Sequence, residues 1–157
     1  YSELAQLHKS GIAPIKSHEI NGYLRGRSNI LERLRELIEE AQNEVIIFTS
    51  ITDFESKRRV LMPALERITK ADIKLKIALS GDADKIRKIS AKHNLKVKFS
   101  DSNARLFAAD KREAMLMITP ENSEEEMAVW LNAPFFTESL SKILDNALKN
   151  GTLPGKQ

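Results

Sequence analysis

The residues best placed to do chemistry are an amide, a guanidinium and a carboxylate in one short run, Asn103-Ala-Arg105-Leu-Phe-Ala-Ala-Asp110. A guanidinium is a bidentate partner for carboxylate or phosphate, so Arg105 can hold an anion. Asn103 has no basic lone pair and cannot serve as a nucleophile. The three histidines, His8, His18 and His93, fall outside the apolar strands, and no two have the spacing of a helical zinc motif. They read as solvated residues and build no hydrolase triad. The six glycines are scattered, so no phosphate loop or dinucleotide fingerprint exists. With no cysteine, disulfides, thiolate metal sites and cysteine nucleophiles are excluded. No catalytic residue, no metal and no cofactor is expected.

A chain of 157 residues is long enough for one sizeable core. Its 41% hydrophobic and 30% charged residues are those of a folded soluble protein. The 25 Lys and Arg are offset by 22 acids, which reads as a mixed surface rather than a nucleic-acid footprint. No apolar run is long enough for a membrane span and no signal region opens the chain, so the expected location is cytoplasmic, with no membrane partner. The chain opens at Tyr1 without an initiator methionine, consistent with processing, missing residues or a fragment.

Several elements must position the Asn103 to Asp110 run. Asn29 reads as the cap of a first helix with Glu32 as its capping-box partner, and Ile30, Leu34, Leu37, Ile38 and Ala41 share one face. Val45 to Phe48 is a continuous β-branched and aromatic run, as in a strand buried on both faces. Val60, Leu61, Ala64, Leu65 and Ile68 repeat at helical spacing, with Pro63 predicting a kink or a late start. A strand follows at Ile73 to Leu79, a helix over Ala83 to His93 and a strand at Val97 to Ser100.

Arg105 to Ala109 and Ala114 to Ile118 form a predicted hairpin around Asp110, Lys111 and Arg112. A strand over Met127 to Asn132 comes next, then a helix with Leu140, Ile143, Leu144, Ala147 and Leu148 as its apolar stripe and Gly151 as its C-cap. This order predicts an α/β fold, a mixed sheet sandwiched between helices. Binding groups in such sheets collect beyond strand ends, which marks Ser50, Asp53, Ser80 and Asp82 by position, although for any one of them a helix cap or a turn is the more ordinary role. Trp130 is a stacking platform or, more in keeping with its alternating strand, part of the core or an interface. Lys57, Arg58 and Arg59 read as the solvated face of a helix, and Glu124, Glu125 and Glu126 as a solvated loop.

The spacing Asn103-x-Arg105-x-x-x-x-Asp110 resembles the phospholipase D signature, with Asn in place of the nucleophilic His and Arg in place of the phosphate-binding Lys. The Gly-Ser that usually follows is replaced around Met117 and Ile118. The wider chain resembles the effector domain of TrmB-type transcription regulators. Gly26 to Ile30, Ala41 to Phe48, the Arg105 and Asp110 hairpin and Ala128 to Pro134 carry that resemblance, spanning most of residues 23 to 149.

The resemblance implies a degenerate phospholipase-D-like fold without phosphodiester chemistry. It also implies a winged-helix DNA reader on the N-terminal side, for which the roughly 25 residues before Gly26 are too few. Residues 1–22 are then an arm or linker-helix remnant, with Leu4 and Leu7 as candidate dimer contacts, or else a frayed terminus. Residues 23–150 form the effector and dimerisation domain, and 151–157 a tail. The expected function is ligand sensing and homodimerisation within a regulator, with a small effector at Ser50, Ser80, Asn103, Arg105 and Asp110, and DNA contacted only through the missing reader. The alternatives are a homodimeric phosphodiesterase or nuclease, and a dimerisation module without ligand.

Overall fold

The computed structural model describes residues 20–121 and 123–149. The expected helical turn at Ser2 to His8, the Gly151 cap and the tail lie outside the described residues. The described elements are β1 (Ile20–Arg25), α1 (Arg27–Glu39), β2 (Glu44–Ser50), α2 (Ile51–Ser56), α3 (Arg58–Lys70), β3 (Lys74–Ser80), α4 (Ala83–Lys92), β4 (Val97–Phe99), β5 (Leu106–Ala109), β6 (Glu113–Met117), β7 (Met127–Asn132) and α5 (Pro134–Lys149). The sheet order is β1-β7-β6-β5-β2-β3-β4, with β2, β3 and β4 parallel and every other neighbouring pair antiparallel.

Central β2 follows from its composition. Val45 and Ile47 enter one core and Ile46 and Phe48 the other, because successive side chains leave opposite faces of a strand. On the first face α1, α3 and α4 bring Ile30, Leu34, Leu61, Leu65, Ile68, Ile86 and Ile89 against Ile77, Phe107 and Met115. On the second face α5 supplies Leu144 and Leu148 against Ile46, Phe48, Ala108 and Ala114. Its stripe is narrower than the spacing predicts, since Ile143 stays exposed.

Helix α1 begins two residues before Asn29. Gly26 occupies the N-cap position at φ 91°, and Asn29, inside the first turn, donates Nδ2 to the Arg25 carbonyl at 2.9 Å instead of capping with its own oxygen. The five-residue apolar face is buried as the periodicity requires. Pro63 lies inside α3, which starts well upstream of it, so the late start is excluded. Strand β1 falls partly in the expected arm and pairs with β7 instead.

The β5–β6 hairpin turns through Asp110 and Lys111, both at positive φ (56° and 55°), with Arg112 N–H donating to the Ala109 carbonyl. Gly81, just past β3, is required for space: a Cβ there would stand 2.6 Å from Ile51 Cγ2, at a φ of 121°.

Candidate functional site

The strand directions gather one set of loops at a single edge of the sheet. The ends of β1, β2, β3 and β6 and the starts of β5 and β7 all lie there. Ser50 and Ser80 are register partners at the ends of β2 and β3, and Arg105 precedes β5. Asn103 is exposed on the loop leading to Arg105. Asp110 closes β5 at the opposite end of the strands, roughly 17 Å from Arg105 at about 3.4 Å per strand residue. The five sequence-predicted ligand residues therefore do not form one pocket. Four share an edge and Asp110 does not.

Asp110 has a structural task where it stands. Its Oδ1 accepts from the N–H groups of Asn43 (2.7 Å) and Glu44 (3.0 Å), and Oδ2 from Gln42 (3.0 Å), which fixes the entry into β2.

Arg105 is buried, and both terminal nitrogens of its guanidinium meet partners within the protein. Nη1 lies 3.1 Å from Asp53 Oδ1 and 3.2 Å from Glu126 Oε2, and Nη2 donates to the Thr119 carbonyl. Lys57, also buried, donates its ammonium to the same Asp53 oxygen and stands 4.0 Å from Glu126 Oε2. Thr49 Oγ1 donates to Asp53 Oδ2 at 2.6 Å. Burial pushes the Asp53 carboxyl up, but the Lys57 and Thr49 hydrogen bonds and the Lys57 and Arg105 charges outweigh it and hold the group below the ordinary aspartate value. Two buried cations thus meet two carboxylates.

Asp53 and Lys57 take these places because α2 begins at the end of β2. Ser50 Oγ accepts from Asp53 N–H as its N-cap, and Lys57 follows one helical turn after Asp53. Reading Lys57 as a solvated helix residue is corrected by this geometry, since it faces inward beside a carboxylate. The acidic run is corrected likewise: Glu126 is half-buried in the cluster, and its backbone carbonyl accepts from Gly26 N–H at 2.9 Å. A spacing of four between Asp53 and Lys57 was the available sequence signal. Nothing local marks Glu126 as their partner.

The loop from Ile118 to Glu126 is strapped to this edge. Ser50 Oγ donates to Glu121 Oε1, and Arg25 pairs with Glu125 at 3.1 Å. Beneath it lies a cleft of about 440 Å³ whose wall includes Arg27, Asp53, Ser56, Arg105, Glu121 and Glu126. Arg27 donates Nη2 to the Ser56 carbonyl at 2.6 Å and approaches Glu126 at 3.6 Å. Trp130 lies on the first sheet face under Arg33, whose guanidinium carbon is 3.8 Å from the ring centroid, so it packs in the core margin instead of forming an open platform. Among the described residues no group of three or more His, Cys, Asp or Glu could hold a metal ion, and no helix is long and apolar enough to cross a membrane.

The sheet order, helix layers and loop edge define a phospholipase-D-like fold, and solved structures agree. Nuc from Salmonella typhimurium, a phospholipase D family member, superposes with a TM-score of 0.63 at 15% identity, covering 83% of this chain and 96% of that one. NucT from Helicobacter pylori gives 0.64 at 15%, over 83% and 99%. TrmBL2, an archaeal chromatin protein, gives 0.61 at 16%, over 97% of this chain, which spans 60% of TrmBL2. At these identities the likeness is one of fold. No curated protein matches the sequence. The family model "Transcriptional regulator TrmB, EBD N-terminal subdomain" matches residues 22–152. The chain belongs to that family of transcription regulators.

Proposed function

We propose that this chain is the non-catalytic, ligand-sensing and dimerising domain of a transcription regulator. It acts in the cytoplasm, and the full regulator reads DNA through a separate winged helix. The observation that carries this reading is the burial of Arg105 against partners within the protein. Its donors go to Asp53, Glu126 and the Thr119 carbonyl, so a phosphate would have to displace two carboxylates from a buried site. Asn103 supplies no nucleophile in the place where the fold's enzymes carry one. Phosphodiester transfer would lack its nucleophile and would have to compete with carboxylates for Arg105.

Sensing falls to the cleft beside the cluster. Its volume suits a small molecule, and its rim of carboxylates with Arg27 suits a polar one. A ligand that takes the Ser50 hydroxyl from Glu121 loosens the strap, and the strap leads straight into β7 and so to its edge partner β1. The dimer is supported by the second face. The exposed large apolar residues among those described are Tyr23, Ile118, Phe135, Phe136 and Ile143. Tyr23 is in register with Val129, which pairs with Leu116 on that face, Ile118 follows two residues later, and the others lie on α5.

A second copy is the occupant that fits this surface. Phe135, Ser139 and Ile143 fall at intervals of four, with the small Ser139 where two antiparallel helices would cross. Glu138 and Lys142 are exposed without an ion-pair partner among the described residues, and an antiparallel α5 pair sets each against the other's opposite charge.

A thermal-shift screen of small polar metabolites, with sedimentation in parallel, tests the reading. A ligand that raises the unfolding temperature of the dimer, with the response lost in Glu121→Gln, supports it. A stable dimer with no response across the screen returns the chain to a dimerisation module without ligand.

A further inference from the structure

Charge in this chain is segregated along the sequence, and the fold turns that into a surface. Residues 51–98 carry 13 Lys and Arg against 6 Asp and Glu, whereas residues 99–126 carry 3 against 7. The near balance of the whole chain hides this division. The basic segment supplies α3 and α4, both packed on the first face of the sheet. Between them and α1 runs an open groove of about 710 Å³, walled by Arg27, Arg58, Arg59, Lys92 and His93, with Glu55 as its one acid.

The cations of this groove are placed against local advantage. Arg58 and Arg59 occupy the first turn of α3, where the helix dipole already presents positive charge, and neither an acidic residue nor a side-chain cap offsets them. Arg58, Arg59 and Lys92 are exposed without an ion-pair partner among the described residues. The acids that could have paired with them are instead concentrated around the strap. His93, also on the groove wall, has its Nε2 buried with no hydrogen-bond partner. An anion lying along the groove offsets the unpaired positive charge of these side chains.

We infer that this groove binds the phosphate backbone of duplex DNA, so that the domain itself, and not only a winged helix elsewhere in the regulator, contacts the nucleic acid. Two guanidiniums and a lysine lining one groove offer three cations to backbone phosphates. The groove holds no aromatic side chain on which an unpaired base could stack, which favours the duplex over a single strand. Contacts of this kind carry no sequence information and add affinity wherever the reader places the domain beside DNA. The inference goes beyond the sensing role and does not depend on the cleft at Arg105, which lies under the acidic strap.

Fluorescence anisotropy of the full chain with a labelled duplex of about 25 base pairs and arbitrary sequence, from 50 to 200 mM KCl, reads this directly. The expected binding weakens with salt at a log–log slope of about −0.9 per phosphate contacted, roughly −3 for Arg58, Arg59 and Lys92. The triple variant Arg58→Ala, Arg59→Ala, Lys92→Ala loses at least about tenfold in affinity at 50 mM and most of that slope. Lys111→Ala with Arg112→Ala, at the opposite end of the sheet, leaves both unchanged. Circular dichroism confirms that these exposed substitutions keep the fold. Equal binding by the triple variant, equal loss in both variants, or binding of polyglutamate in place of duplex would each overturn the inference, the last in favour of an acidic protein partner.

Discussion

Asp53 and Arg105, 52 residues apart in sequence, meet inside the protein with Oδ1 3.1 Å from Nη1, and the pair shares that oxygen with Lys57. Both side chains are almost fully buried, so neither charge is screened by water. A cluster of this kind contributes through completeness. Breaking a buried pair costs about 3–5 kcal/mol, because the partner left behind stays charged and desolvated.

Lys57→Met is accordingly expected to destabilise the domain by roughly 3–5 kcal/mol, although it adds an apolar side chain to the interior. Arg105→Met should cost a similar amount. Chemical denaturation checks both, and a loss below about 1 kcal/mol, the size of an exposed ion pair, would place these residues at the surface.

Acid should unfold the protein through the same cluster. The native Asp53 value lies below that of the unfolded chain, about 3.9, so its stabilisation is complete above that pH. As pH falls through the lower native value the contribution disappears. Unfolding temperature measured from pH 7 downward should decline most steeply below about pH 4, and Asp53→Asn should flatten that decline.

Glu113 titrates in the opposite sense. Burial, and the neighbouring Glu40 and Asp110 charges against the pull of Arg33 and Arg112, raise it above the ordinary glutamate value. Its ionisation therefore costs more in the folded state, and stability is lost as pH rises through the window above about 4.3. Glu113→Gln is expected to raise the unfolding temperature at pH 7 and to have no effect well below pH 4. A lower unfolding temperature at pH 7 would contradict this assignment.

Asp110→Ala should cost about 2–3 kcal/mol, since three backbone N–H groups lose a charged acceptor, and should leave any ligand response at the Arg105 edge intact. Asp110→Asn, which keeps one acceptor oxygen and tolerates the positive φ, should cost less. Loss of ligand response in the asparagine variant at unchanged stability would return Asp110 to the binding site.

The dimer surface is tested by Ile143→Asp on α5. Ile143 is 65% exposed in the single chain, so the substitution should leave the fold of the monomer intact while charging the proposed two-fold contact. Sedimentation should show a dimer converted to monomer, and an unchanged dimer would move the interface elsewhere.

Much of the scaffold was legible because it rests on local periodicity. The run from Val45 to Phe48 needs a strand buried on both faces, and the spacing from Ile30 to Ala41 needs a helix with one buried side. Strand β7 runs from Met127 to Asn132, as its alternation predicts. Strand β1 was not legible, because an edge strand with Asn and Gly within it has little pattern of its own and exists through its pairing with β7.

The site shows the same limit. Ser50 and Arg105 could be located from strand ends and from a motif, whereas the burial of Lys57 and Glu126 is created by charges brought together from distant segments. Asp110 appeared beside Arg105 in the sequence and stands at the other end of the strand in space. Five residue steps of extended chain account for that separation.

The most direct test of a phospholipase-D-like fold without phosphodiester chemistry is turnover of an activated phosphodiester such as bis(4-nitrophenyl) phosphate by the purified chain. The internally paired Asp53, Lys57, Arg105 and Glu126 cluster predicts a rate equal to the buffer blank and unaltered in Asn103→Ala. Hydrolysis above the blank that disappears in Asn103→Ala would contradict it.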